Sequence, residues 1–270
     1  MTGYNSVASA RCQCGAARAS FQVGRQGLSE RVLMTPAKAK GERVGFGSGC
    51  GGRRRFGVTE FQDEREQVAY FMRRLYRQCL TTTSGGNLSC RAGSECIALT
   101  PTGVDKGELR AEQIGIMGLD GANLTPELKP SIESAMHLAI YHRHAGVRAI
   151  VHAHPLTASF FCACDEAINT HLTAEAYAIL GEPVMTPYCR MGTTQLAEAV
   201  VDGVGRGVCV LLRNHGILTV GETLLQAFDR LEVLEVAARQ TLMMRSVQGV
   251  REITPVQRRE LDAFMEQPRP

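Results

Sequence analysis

No run of about eighteen apolar residues occurs anywhere in the 270-residue sequence, which excludes a transmembrane helix. The N-terminus lacks the charged-then-apolar pattern of a signal peptide, so a secreted route is not expected. Tryptophan is absent. Cys12 and Cys14 have no partner pair at zinc-finger spacing, so they do not form a structural zinc site. The ten cysteines do not read as a disulfide framework either, because the chain is long and Cys162 and Cys164 lie in an apolar stretch. Reduced thiols and a cytoplasmic location follow. No repeat of 20–50 residues is present. At 44% hydrophobic residues the composition is that of a globular protein rather than a disordered one.

Acidic residues are scarce in one segment only. Residues 1–57 hold ten Lys+Arg against Glu30 and Glu42, a charge of +8 within a total of +3, which leaves −5 for the rest. The same segment carries 11 of the 28 glycines and no sustained hydrophobic period. It reads as a disordered, basic, Gly/Arg-rich extension. Three explanations are open: a transit peptide, a basic arm built on Arg53-Arg54-Arg55, or an upstream translated stretch outside the working protein. The last is favoured, because Val58 can be read from a GTG codon and a well-formed helix follows it. The acidic body argues against nucleic acid as a partner.

From residue 58 the chain alternates helices and strands without strict order. Thr59 and Gln62 have capping-box spacing, and Val68, Phe71, Met72, Leu75 and Cys79 form one apolar stripe, predicting a helix over 60–79. Ser84–Ser89 is a turn entering a strand, and 96–100 is a second strand. Residues 104–129 are mixed. Pro130 opens a helix to about His144. Strands follow at 147–153, 184–186, 208–212 and 217–220. Helices follow at 155–164, 174–180, 194–204 and 223–245, the last with Leu225, Phe228, Leu231, Leu234 and Ala238 inward. A C-terminal helix and tail occupy 253–270, with the helix over 255–265. The fold class expected is α/β: a single three-layer α/β/α domain with a mainly antiparallel or mixed central sheet.

Among seven histidines, His152-Ala153-His154 closes an apolar strand, and i and i+2 point to one face. Asn214-His215-Gly216 ends another apolar strand, which can bring in a third imidazole. Glu133, on the helix just before the His-x-His strand, can return to the same place. Three imidazoles and one carboxylate suit Zn²⁺. His137, four residues beyond Glu133, reads as a supporting or packing residue rather than a ligand. His142, His144 and His171 read as surface or structural.

These residues, with their order and gaps, resemble the class II aldolase/adducin family. The shared run is Gly86-Asn87-Leu88-Ser89, Thr100-Pro101-Thr102-Gly103, Lys129-Pro130-Ser131 with Glu133, His152-x-His154, Pro187-Tyr188 with Gly192-Thr193, and Asn214-His215-Gly216. The resemblance spans about residues 61–250, making 58–252 the aldolase-like domain. It implies that His152, His154 and His215 ligate one zinc per chain, and that Glu133 ligates zinc or acts as acid/base. It implies that Gly86, Asn87, Thr102, Gly103 and Ser131 cradle a substrate phosphate. The residue types agree, since small residues expose backbone N–H groups and hydroxyls add donors. It also implies a homotetramer with sites between subunits.

Two departures bear on the substrate. Ile132 stands where fuculose-type aldolases carry a second serine before the Glu. Thr173 stands where they carry a catalytic Tyr. Glu175 is the candidate replacement acid/base, with Tyr177 as a second candidate. The implied activity is zinc-dependent cleavage of a short ketose 1-phosphate, such as a 5-deoxy- or 5-methylthio-pentulose 1-phosphate, to dihydroxyacetone phosphate and an aldehyde through an enediolate. A dehydratase, epimerase or decarboxylase would use the same metal chemistry, and a non-catalytic adducin-like scaffold would need no metal set.

Overall fold

A computed structural model describes residues 60–266. The expectations for residues 1–57, for the Val58 start and for the tail at 267–270 lie outside them.

Seven strands form one mixed sheet: β1 Asn87–Ala92, β2 Cys96–Leu99, β3 Gly115–Gly118, β4 Ala149–Ala153, β5 Val184–Thr186, β6 Cys209–Leu212 and β7 Gly216–Gly221. Their spatial order is β3-β2-β1-β4-β7-β6-β5. Every pairing is antiparallel except β5 with β6. The helices are α1 Gln62–Arg77, α2 Ser134–Arg143, α3 Leu156–Phe161, α4 Ala174–Leu180, α5 Thr194–Val204, α6 Leu224–Met243 and α7 Pro255–Met265.

The strands alternate between two apolar layers. On one face Ala149 and Val151 of β4 and Cys209 and Leu211 of β6 pack with α1, α3, α4 and α6. On the other, Ile150, Val210, Leu212 and Leu218 pack with Met136 and Ile140 of α2 and Leu196 and Val200 of α5. Side chains of period two on a strand thus meet stripes of period 3.6 on helices from both sides. This is the expected three-layer domain. Each leucine or phenylalanine removed from water in these layers contributes roughly 1.5–3 kcal/mol.

Threonine starts most of the later helices. The hydroxyls of Thr173, Thr193, Thr223 and Thr254 accept from the third backbone N–H of α4, α5, α6 and α7, each cap contributing about 1 kcal/mol. Thr173 is therefore occupied in starting a helix. The short α3 takes its cap from elsewhere: the buried Glu235 carboxylate of α6 accepts from Thr157 N and Ala158 N and from Arg239.

Several boundaries differ from the sequence reading. Thr59 lies outside the described residues, and Gln62 is the first residue of α1 rather than the third of a capping box. Its amide bonds Glu66 instead. Cys79 lies past the end of α1 in a left-handed turn and is exposed. Pro130 does not open α2, because its backbone bridges Pro101, and the helix starts four residues later at Ser134. Leu225 faces outward at 60% exposure, and Leu224 and Ala227 take the inner positions of α6. Cys162 is buried, whereas Cys164 is half-buried. All cysteines among the described residues are free. No described helix is long and apolar enough to cross a membrane.

Candidate metal centre and anion cleft

Register builds the centre. His152 of β4 pairs with Asn87 of β1 on one side and with Leu218 of β7 on the other. His154 lies one residue beyond β4, and His215 one residue before β7. The three imidazoles face one another, with ring centroids 4.9, 4.9 and 5.5 Å apart. One nitrogen from each lies within 4.8 Å of the others. Glu133, at the N-terminal boundary of α2, reaches across to them. Its Oε2 is 3.3 Å from His152 Nε2, and its Oε1 is 3.3 Å from His215 Nε2. Neither approach has hydrogen-bond geometry. Glu133 Oε1, His152 Nε2 and His215 Nδ1 are buried with no hydrogen-bond partner. The unpartnered Glu133 Oε1 and His152 Nε2 both face this cluster, and buried lone pairs brought together in this way are costly unless a cation joins them.

The protonation states suit a cation. Burial, with His152 and His215 alongside, pushes His154 down to about 3 against the weaker opposing effect of Glu133. Burial and His152 also lower His215. Neutral imidazoles offer lone pairs. For Glu133, burial pushes upward, but His152, the Asn87 amide, His215 and His137 together hold it below the usual carboxylate range. It is a carboxylate at neutral pH. The donor set of three imidazoles and one carboxylate fits a zinc-type ion. The Nδ1 of His152 lies 2.8 Å from the Ile217 carbonyl. Donation to that carbonyl fixes the ring and turns Nε2 toward the cluster.

A second feature was not foreseen. Asn87 and Ser89 are i and i+2 on β1, and Glu133, His137 and Tyr141 are i, i+4 and i+8 along α2. The two polar rows mesh into one buried chain. Asn87 Nδ2 donates to Glu133 Oε2 at 2.7 Å. His137 Nε2 lies 2.6 Å from Asn87 Oδ1. Ser89 Oγ lies 2.6 Å from His137 Nδ1 and 2.8 Å from the Tyr141 hydroxyl. Only one direction satisfies every group: Tyr141 donates to Ser89, Ser89 to His137 Nδ1, His137 Nε2–H to Asn87, and Asn87 to Glu133. This requires a neutral His137, and burial pushes it down to about 3. His137 thus supports Glu133 through Asn87. The sequence signal was present as polar residues at period two in an apolar strand and at period four on a helix.

A cleft of about 480 Å³ opens beside the cluster. Gly86, Asn87, Thr102, Ser131, Glu133, His154 and His215 line it, together with Ile132, Met191, Asn214 and Lys106. Gly103 lies beside it on the Thr102 loop, exposed and at positive φ. Of the residues assigned to phosphate, Asn87 has both ends of its side chain engaged with protein, and Ser131 Oγ accepts from Glu133 N. Lys106 was missed, since a lone lysine in a loop carries no pattern. Glu175 lies exposed in the first turn of α4 and does not line the cleft of its own chain. The Tyr177 hydroxyl donates to Asp262 of α7. His142 and His144 bond backbone carbonyls, and His171 pairs with Glu182, so none joins the cluster.

Residues 66–242 match the class II aldolase and adducin N-terminal domain. The chain is 31% identical to a 3-oxo-tetronate 4-phosphate decarboxylase of Haemophilus influenzae, over 74% of this chain and 96% of that one. It is 32% identical to a 5-deoxy-D-ribulose 1-phosphate aldolase of Bacillus thuringiensis serovar kurstaki, over 69% and 87% respectively. Its fold superposes on the solved structure of an L-fuculose 1-phosphate aldolase with a TM-score of 0.69 at 27% identity, covering 76% of this chain and 97% of that one.

Proposed function

The chain belongs to the class II aldolase and adducin family, and from that premise we propose that it is a zinc-dependent lyase acting on a short sugar phosphate. The observation carrying this reading is the convergence of His152, His154 and His215 on Glu133, whose carboxylate is oriented by the Asn87 chain at the mouth of a polar cleft. A scaffold has no use for a buried, directional hydrogen-bond chain ending on an otherwise unpartnered carboxylate oxygen.

His152, His154 and His215, with Glu133, would hold the metal. When bound, zinc supplies a Lewis acid that stabilises negative charge developing on the substrate's carbonyl and hydroxyl oxygens. Gly86, Thr102, Gly103 and Ser131 hold the phosphate end and so set which bond lies over the cluster. Glu133 moves the proton at the carbon freed when the C–C bond breaks. The preferred substrate is a ketose 1-phosphate shorter than fuculose phosphate, such as a 5-deoxypentulose 1-phosphate. Ile132 in place of a hydroxyl supports this, as does the similarity to an aldolase of that name. Dihydroxyacetone phosphate and an aldehyde are the products.

A second reading has its own support, in the similarity to a 3-oxo-tetronate 4-phosphate decarboxylase. There the bond broken releases carbon dioxide, and the electron pair left behind is held by the same centre. We also propose a homotetramer in which Glu175, exposed on α4, serves as second acid/base in the cleft of a neighbouring copy.

Metal analysis with a product assay decides among these. About one zinc per chain with triose phosphate released from a 5-deoxypentulose 1-phosphate is the expected result. Carbon dioxide from a 3-oxo acid phosphate without triose phosphate would replace the aldolase with the decarboxylase. A protein purified without bound metal, and unable to take it up, would return the scaffold reading.

A further inference from the structure

Lys106 has no role in the chemistry above, yet it is placed unusually. It lies in the turn Lys106–Glu108 that follows Thr102 and Gly103, lines the cleft, and is only 2% exposed. Its ammonium makes one hydrogen bond, to the Pro101 carbonyl at 2.6 Å. No carboxylate among the described residues pairs with it. A lysine has three N–H donors, and a fully buried one is ordinarily paired with an acid. Glu133, the one buried acid among the described residues lining the cleft, already accepts from Asn87 and faces the histidines. Ile132, which also lines the cleft and is 57% exposed, presents a hydrocarbon to it.

We propose that Lys106 is the cationic anchor of the cleft and that its missing counter-ion is the phosphate of the substrate. This rests on the lyase reading for the identity of the substrate, but not for the site. The ammonium has donors to spare once Pro101 is satisfied. The same loop presents Thr102 and the open backbone at Gly103, where nothing lies within 4 Å of a would-be side chain. An anion held there meets charge, hydroxyl and backbone donors from one turn. Lys106 thereby selects a phosphorylated substrate over a neutral sugar, and offsets the donor absent at position 132. Burial alone lowers its proton affinity, to about 8, so it remains charged at neutral pH.

The bland alternative is that Lys106 merely ties its loop to Pro101. Calorimetric titration of the metal-loaded protein with inorganic phosphate separates the two. Lys106→Gln keeps an N–H for the Pro101 carbonyl and removes the charge, whereas Lys106→Met removes both. The anchor predicts that both variants bind phosphate at least about tenfold more weakly, the size of one charge-assisted hydrogen bond. It predicts that Lys106→Arg stays within about tenfold of wild type. If Lys106→Gln binds phosphate as wild type does, or wild type gives no binding at millimolar phosphate, the proposal is overturned. The glutamine variant carries the test alone if the methionine variant does not fold. The titration involves no turnover. Phosphate binding that depends on Lys106 in a protein releasing neither triose phosphate nor carbon dioxide would therefore sink the lyase reading and leave the anchor standing.

Discussion

The two ends of the cleft are built by opposite means. At the histidine end, every group sits on a strand or helix or one residue beyond it, and its position follows from register: His152 opposite Asn87, Glu133 one turn before His137. At the proposed anion end, Gly86, Thr102, Gly103, Lys106 and Ser131 sit on turns, with two positive-φ glycines among them. Metal ligation needs nitrogens held at fixed separations, which a pleated sheet provides. Anion binding needs free N–H groups, which a sheet consumes and a turn leaves available. The division predicts that the first end fails by losing chemistry and the second by losing affinity or local stability.

The largest effect should come from Glu133→Ala. Removing the only carboxylate among the described residues that faces the three imidazoles should lower turnover by about 10²–10⁴-fold, the usual contribution of a positioned acid/base. The histidines should still retain metal, so metal content and product release are measured on one sample. Near wild-type turnover would break the assignment. Asn87→Ala should come next. It strips Glu133 Oε2 of its donor and strands His137 Nε2, and such supporting partners typically cost 10–100-fold in metal affinity or activity. A loss confined to phosphate affinity would instead place Asn87 at the anion end.

The glycines sharpen the contrast at smaller scale. A Cβ on Gly103 would meet nothing within 4 Å, and its φ of +74° is the sole penalty, so Gly103→Ala should cost about 1–2 kcal/mol. A Cβ on Gly86 would lie 2.7 Å from the His152 carbonyl oxygen, at a φ of +67°. Gly86→Ala should therefore melt lower than Gly103→Ala and displace β4 beside His152. Paired thermal melts with metal analysis check this. Equal melting of the two variants would show that β4 yields more readily than its place in mid-sheet implies.

What the sequence disclosed follows the same division. The His-x-His pair, Asn214-His215 and Glu133 were legible because strand and helix periods are local rules. So were α4, α5 and α7, whose limits are set by threonine caps and turn residues. The short β3 was not, because two of its four residues are glycine and pairing with β2 alone defines it. The start of α2 was misread because Pro130 answers to Pro101 across the fold rather than to its own helix. Glu175, the candidate replacement for the family's Tyr, is exposed in the first turn of α4, away from the cleft of its own chain. Lys106 was invisible because its significance lies in what is absent around it, and no sequence pattern encodes a missing partner.

That absence has a thermodynamic signature. Burial lowers Lys106 to about 8 in the folded protein, against 10.5 for a free lysine. Below pH 8 the side chain is charged in both states, and the folded state alone bears the full desolvation cost. Between pH 8 and 10.5 the unfolded chain holds the proton that the folded protein has released, so this group's contribution to stability rises with pH. Lys106→Met should therefore be more stable than wild type at neutral pH, by an amount on the order of 1–3 kcal/mol. That margin should shrink between pH 8 and 10.5. Denaturant melts of both proteins at pH 7 and pH 10 measure it. Inorganic phosphate should shrink it from the other direction, by stabilising wild type and not the variant. A lysine kept at a cost that its ligand relieves is a functional residue. A variant less stable than wild type at pH 7, with phosphate making no difference, would make Lys106 a structural residue of its loop.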